Sequence, residues 1–103
     1  MESNILDNCI GFDWDSGNIE KNQTKHQVSQ WECEQVFFND PLLIYADTQH
    51  SQSESRYFAL GHTDLNRNLM IVFTVRHYLI RIISARPMSR KERKYYEQTE
   101  ENT

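Results

Sequence analysis

The sequence predicts an α+β domain in which an antiparallel β-sheet of four to five strands packs with two N-terminal helices and one C-terminal helix. Three observations carry this. Two capping-box patterns, Ser29 with Glu32 and Ser89 with Glu92, open stretches of helical periodicity. Between them, runs rich in β-branched and aromatic residues succeed one another through connections too short for crossover helices, which disfavours a doubly wound sheet. The chain of 103 residues, 38% hydrophobic with five Phe, five Tyr and two Trp, fills one core and not two. Residues 1–103 are therefore expected to form a single domain, with 1–8 and 99–103 frayed.

Alternation through Ile10, Phe12 and Trp14 predicts an opening strand. Asp15 is placed to cap a helix over 16–26, in which Gly and two Asn lower the propensity. After Ser29 the second helix sets Cys33, Val36 and Phe37 on one face. Trp31 and Phe38 form an adjoining stripe, a broad apolar side turned to the sheet, until Asn39, Asp40 and Pro41 end the helix. LLIYAD at 42–47 reads as a strand, the polar run 48–55 as the longest loop, and ESRYFALGHT as the next strand. HTDLNRN is turn-like, and MIVFTVRHY and LIRIISA form a tight antiparallel pair with His77 near their junction. Pro87 ends that pair ahead of a basic helix, RKERKYYEQ.

The formal charge of -4 hides a polarity. Residues 1–54 hold ten acids and two bases, whereas 55–94 hold nine bases and two acids. A folded surface can thus carry a strongly positive patch, so an acidic average does not exclude a nucleic-acid ligand. Cys9 and Cys33 follow no secretory leader and are read as reduced thiols of a cytoplasmic protein, Cys33 in the core. The longest apolar run, 69–75, is too short for a membrane helix. His50, His62 and His77 are too irregularly spaced for a metal triad, the glycines form no phosphate-binding fingerprint, and no cofactor is expected.

The bases are distributed along the strands. Arg56 starts one strand, Arg76 ends another, Arg81 lies within the last and Arg86 closes it, followed by Arg90, Lys91, Arg93 and Lys94. If strand ends and the last helix converge, guanidinium forks meet phosphate oxygens; otherwise the terminal run is a solvated helix face. Arg81 interrupts the apolar series Leu79, Ile80, Ile82 and Ile83, so it needs an anion, either a phosphate or an acid such as Glu54 or Asp40. Strict period two puts Arg81 and Arg86 on opposite faces, and only a bulge or a rim position for Arg86 brings them to one groove. Metal-free RNA cleavage needs groups that move protons and groups that hold the scissile phosphate. Glu54 and His26 suit the first role, Arg56, Arg81 and Arg86 the second, and Lys25 either. Trp14 or Tyr57 offers a ring for a base, although lone residues such as Tyr57 and His62 are ordinarily core or boundary groups.

Five stretches taken together resemble the BrnT toxins of bacterial type II toxin–antitoxin systems: FDWD at 12–15, NQTKHQVSQWE at 22–32, VFFNDP at 36–41, SESRYFALGHT at 53–63 and IRIISARPMSRKERKYYE at 80–97. The chain departs from the family pattern at Gln27, Gln30 and Ser55. The resemblance implies a RelE-like fold and an endoribonuclease that arrests growth by cutting RNA, most naturally messenger RNA, without a metal. It also implies neutralisation by a cognate DNA-binding antitoxin, through which operator DNA is mainly contacted. By position it gives catalytic weight to Lys25, His26, Glu54, Arg56, Arg81 and Arg86, and the residues above add RNA contacts at Trp14, Tyr57, Arg76, Arg90, Lys91 and Lys94. The alternative is a non-catalytic module whose basic patch holds an acidic protein segment.

Overall fold

The computed structural model describes residues 5–49 and 54–101. In chain order the elements are β1 (Gly11–Asp13), α1 (Ser16–His26), α2 (Gln30–Val36), β2 (Leu43–Asp47), β3 (Arg56–His62), β4 (Asn68–Arg76), β5 (Leu79–Pro87) and α3 (Arg90–Glu101). They form one five-stranded sheet in the order β1-β5-β4-β3-β2. Neighbours from β2 to β5 are antiparallel, as their short connections require. The sheet is nevertheless mixed, because β1 runs parallel to β5. A parallel neighbour is joined to its partner by no local turn, so nothing near β1 in the sequence reports its direction.

Each helix cap is visible in local chemistry. Asp15 Oδ1 accepts the amides of Gly17 and Asn18 at the start of α1. Ser29 and Glu32 satisfy each other's backbone N–H groups at α2, and Ser89 and Glu92 do the same ahead of α3. α1 ends on Gln27 in the left-handed region (φ 55), with the Gln27 and Val28 amides closing the last turn.

Period-two alternation gives the sheet two faces, and each receives its own cover. Val28, Cys33 and Val36, from α2 and the turn before it, pack with Ala59, Leu69, Ile71, Phe73, Ile80, Ile82 and Ala85 on the first face. Contact is close there: a Cβ on Gly61 would lie 2.6 Å from Val36 Cγ1. On the second face α3 sets the fully buried Tyr96 against Leu60, Met70 and Met88. Tyr96 donates to Pro41 O at 2.6 Å, and since its single proton is used there, His62 Nδ1 donates to Tyr96 Oη at 2.8 Å. His62 is thus a half-buried structural group. The expected apolar side of α2 is narrower than its sequence suggests, because Trp31 is 66% and Phe38 79% exposed. Phe38 lies beyond the end of the short helix, and Trp31 turns away from the sheet that Cys33 and Val36 face.

One irregularity in the ladder matters for function. Val72 pairs with Ser84 but Phe73 with Ile82, so Ile83 is an extra residue in β5. α1 clasps this bulge from the first face: Asn18 Nδ2 donates to Ile82 O at 3.3 Å, and the Ala85 amide donates to Asn22 Oδ1 at 3.2 Å. The two asparagines that weaken α1 as a helix are those that bind the bulged strand's backbone. At the other end of β5 a two-residue connection joins β4, with His77 and Tyr78 both at positive φ (54 and 65). The mirror-image turn matches the twist of the strands, although neither residue is one that such turns ordinarily use.

Candidate active site

The bulge determines which side chains share a face. Phe73 and Tyr57 pack into the first core, so Thr74 and Arg56, each one residue away, face the other side. Thr74 pairs with Arg81, Asp47 pairs with Arg56, and Asp13 pairs with Arg81. A row therefore crosses the second face as Asp47, Arg56, Thr74, Arg81, Asp13. Arg56 and Arg81 stand two strands apart, about 10 Å between backbones, within reach of one another's long side chains. Arg86 pairs with Met70 and so lies on this face too, which strict alternation from Arg81 would forbid. It sits about 15 Å further along β5, at the end covered by α3.

Glu54 completes the row. Its Oε2 accepts from Arg76 Nε at 2.7 Å. That hydrogen bond holds the carboxyl below its usual range against the opposing effect of burial, and the charges of Arg76, Arg81 and Arg56 add to it. One carboxylate thus lies within electrostatic reach of guanidiniums from three strands. Arg81 is 27% exposed and bridges two acids loosely, Asp13 at 3.3 Å and Asp15 at 3.6 Å. The acids expected for it, Glu54 and Asp40, are not those it pairs with, because parallel β1 delivers Asp13 directly beside it. Long, partly exposed contacts of this kind add little to stability and leave a guanidinium edge that can exchange partners.

Arg86 is held differently. Nη1 and Nη2 donate to the two oxygens of Glu92 at 2.9 Å each, a fork that pins the first turn of α3 to the sheet. Arg86 keeps the Glu92 carboxyl below its usual range against partial burial, with the Ser89 amide helping. A carboxylate depressed in the fold contributes stability above its unfolded pKa of about 4.3 and loses it as pH falls through the lower folded value. Thermal stability is accordingly expected to fall below about pH 4.3, and Glu92→Gln to flatten that acid limb while lowering stability at neutral pH. Melting curves across pH 3–7 check this, and an unchanged acid limb in the variant would assign the loss to other groups.

The remaining candidates are dispersed. Lys25 is exposed and His26 half-buried at the end of α1, which packs on the first face of the sheet, opposite the arginine row. Trp14 Nε1 donates to Glu34 Oε2 at 2.9 Å while its ring packs against the first core. Tyr57 lies 5.5 Å from Phe73 in that core, so neither ring is on the arginine face. Arg90, Lys91 and Lys94 are exposed along α3. His50 lies outside the described residues; His62 and His77 stand at opposite ends of the β3–β4 hairpin. Among the described residues no group of three or more His, Cys, Asp or Glu is placed to hold a metal ion. Both cysteines are free, and burial, with the charges of Glu32 and Glu34, pushes the Cys33 thiol up to about 12, which makes it an inert core group.

Sequence reasoning missed Arg67. Its Nη1 reaches both Glu32 oxygens at 3.0 Å and Gln27 O at 2.8 Å, and its Nη2 reaches His26 O at 3.1 Å. It locks the turn after β3 to the junction of α1 and α2. Burial opposes the charge on Glu32, but the Ser29 amide and Arg67 outweigh it and hold the carboxyl below its usual range. The signal was an arginine in a turn opposite two carbonyls freed at a helix C-terminus, a pairing that has no local sequence signature.

The fold and this face define a class: a small α+β protein whose sheet presents arginines from adjacent strands, suited to a phosphate backbone. Residues 14–92 match the family described as ribonuclease toxin, BrnT, of type II toxin–antitoxin system, and the chain belongs to that family. Its structure is similar to the 1.1 Å crystal structure of the Brucella abortus ribonuclease toxin BrnT, with a TM-score of 0.59 and 17% identity over 79% of this chain and 99% of that one. No curated protein matches. The chain is a ribonuclease toxin of the BrnT type, and membership of a toxin–antitoxin system implies an RNA substrate and a cognate antitoxin. No helix among the described residues is long and apolar enough to cross a membrane.

Proposed function

We propose that the chain cuts messenger RNA in the cytoplasm by metal-independent transesterification on the second sheet face. The observation that carries this is the Glu54 carboxylate lying within reach of Arg56, Arg76 and Arg81, which three separate strands supply. Arg81 and Arg56 clamp the scissile phosphate and stabilise the charge that grows on its oxygens. Glu54, ionised at neutral pH, takes the proton of the 2′-hydroxyl. The 2′ oxygen then bonds to phosphorus, the P–O5′ bond breaks, and the 5′ oxygen leaves as a hydroxyl with a proton from solvent. The products are a 2′,3′-cyclic phosphate and a 5′-hydroxyl. Arg76 positions Glu54, and the exposed bases Arg90, Lys91 and Lys94 draw the RNA backbone towards the face. Lys25 and His26, on the far side, assist the approach of RNA and not the proton transfers.

The cognate antitoxin is a DNA-binding protein that masks this face and carries the complex to operator DNA. The test is end-group analysis of RNA incubated with purified toxin and EDTA. Cyclic phosphate ends, lost when the antitoxin is added, are the expected outcome. RNA left whole by purified toxin, or cleavage abolished by EDTA alone, would refute the mechanism.

A further inference from the structure

Beside the arginine row lies a cavity of about 390 Å³ between α3 and the sheet, lined chiefly by apolar and aromatic groups, among them Tyr45, Phe58, Met70 and Tyr95. Arg86 and Lys91 bring positive charge to the same lining. Phe58 and Tyr45 are a cross-strand pair, two positions along their strands from the pair Arg56 and Asp47. The cavity therefore adjoins the arginine row on one continuous face, about 7 Å from Arg56 along β3. The Tyr95 ring is 51% exposed and lies 6.2 Å from that of Tyr45, which leaves a face of it open. Tyr45 Oη is buried and makes no well-formed hydrogen bond among the described residues, although the Tyr95 hydroxyl lies close enough to interact with it; a polar ligand edge would complete its hydrogen bonding.

We propose that this cavity is a nucleobase subsite for the substrate RNA, holding a base next to the phosphate on the arginine row; the proposal rests on the ribonuclease reading above. A base offers what the lining asks for: a flat π-face for Tyr95, apolar edges for Phe58 and Met70, and a polar edge for Tyr45 Oη. Its flanking phosphate meets Lys91, which forms no ion pair among the described residues, the neighbouring Glu92 being held by the Arg86 fork. An apolar side chain from a protein would fill the volume but leave both the hydroxyl and the lysine unanswered.

The probe is a hexanucleotide RNA, 2′-O-methylated so that it is not cut, with 2-aminopurine at one position. Wild-type toxin is expected to quench its fluorescence through stacking. Tyr95→Ala is expected to weaken binding about 5- to 100-fold with an unchanged salt slope, and Tyr95→Trp to retain it. Lys91→Ala is expected to lower the salt slope by about one. Unmodified RNA is assayed for cleavage in parallel. Equal affinity of wild type and Tyr95→Ala, in a toxin that still cuts RNA, would overturn the subsite and spare the ribonuclease reading. No binding and no cleavage by wild type would overturn both. Loss of antitoxin co-purification in Tyr95→Ala with RNA affinity intact would make the cavity a protein-docking site and overturn the proposal.

Discussion

Arg81→Ala is expected to lower RNA cleavage by about 10²- to 10³-fold, the loss typical of removing one preorganised donor from a developing oxyanion. Stability is expected to change by less than about 1 kcal/mol, because the ion pairs given up are long and partly exposed. These two magnitudes separate a catalytic clamp from a structural salt bridge. A residue that held β1 to β5 would show the reverse pattern, unfolding at lower urea while the folded fraction stayed active. Arg81→Lys preserves the charge but not the fork, so it is expected to recover only part of the rate. Single-turnover cleavage and urea unfolding of the same preparations decide the matter. Cleavage at the wild-type rate in folded Arg81→Ala would remove Arg81 from the mechanism.

Much of this architecture was legible because its causes are local. The capping boxes at Ser29 and Ser89, the Asp15 cap and the strand alternations each sit within a few residues of the structure they specify. What escaped was specified at long range. The direction of β1 depends on its contact with β5, and the exposure of Trp31 and Phe38 depends on where the sheet lies relative to a two-turn helix. Arg67 answers carbonyls some forty residues away in sequence. The candidate site shows the same division. Its arginines were visible as residue types that interrupt apolar runs, yet their sharing of a face turned on whether β5 contains a bulge. No residue near Ile83 announces one; the groups that satisfy it are on α1, 63 and 64 residues away.

That dependence makes Asn22 the residue whose loss is expected to affect the fold and the site together. Its side chain is 2% exposed, and Oδ1 takes the buried amide of Ala85 just past the extra residue. Asn22→Ala leaves that amide unpaired in the core, an expected loss of about 1–3 kcal/mol by urea unfolding. Asn22→Asp keeps the acceptor but buries a charge, so it is expected to cost more and not less. Asn18, on a partly exposed contact, is expected to cost less than either. The sharper consequence is for activity. Without the clasp from α1, β5 gains stability by expelling the extra residue, and a one-residue slip turns either Arg81 or Arg86 to the other face. Cleavage by Asn22→Ala, measured at a temperature where the variant is fully folded, is therefore expected to fall further than any loss of folded protein explains. Wild-type cleavage at full folding would mean that the bulge is held by the β4 ladder alone, with α1 contributing stability but not the placement of Arg81.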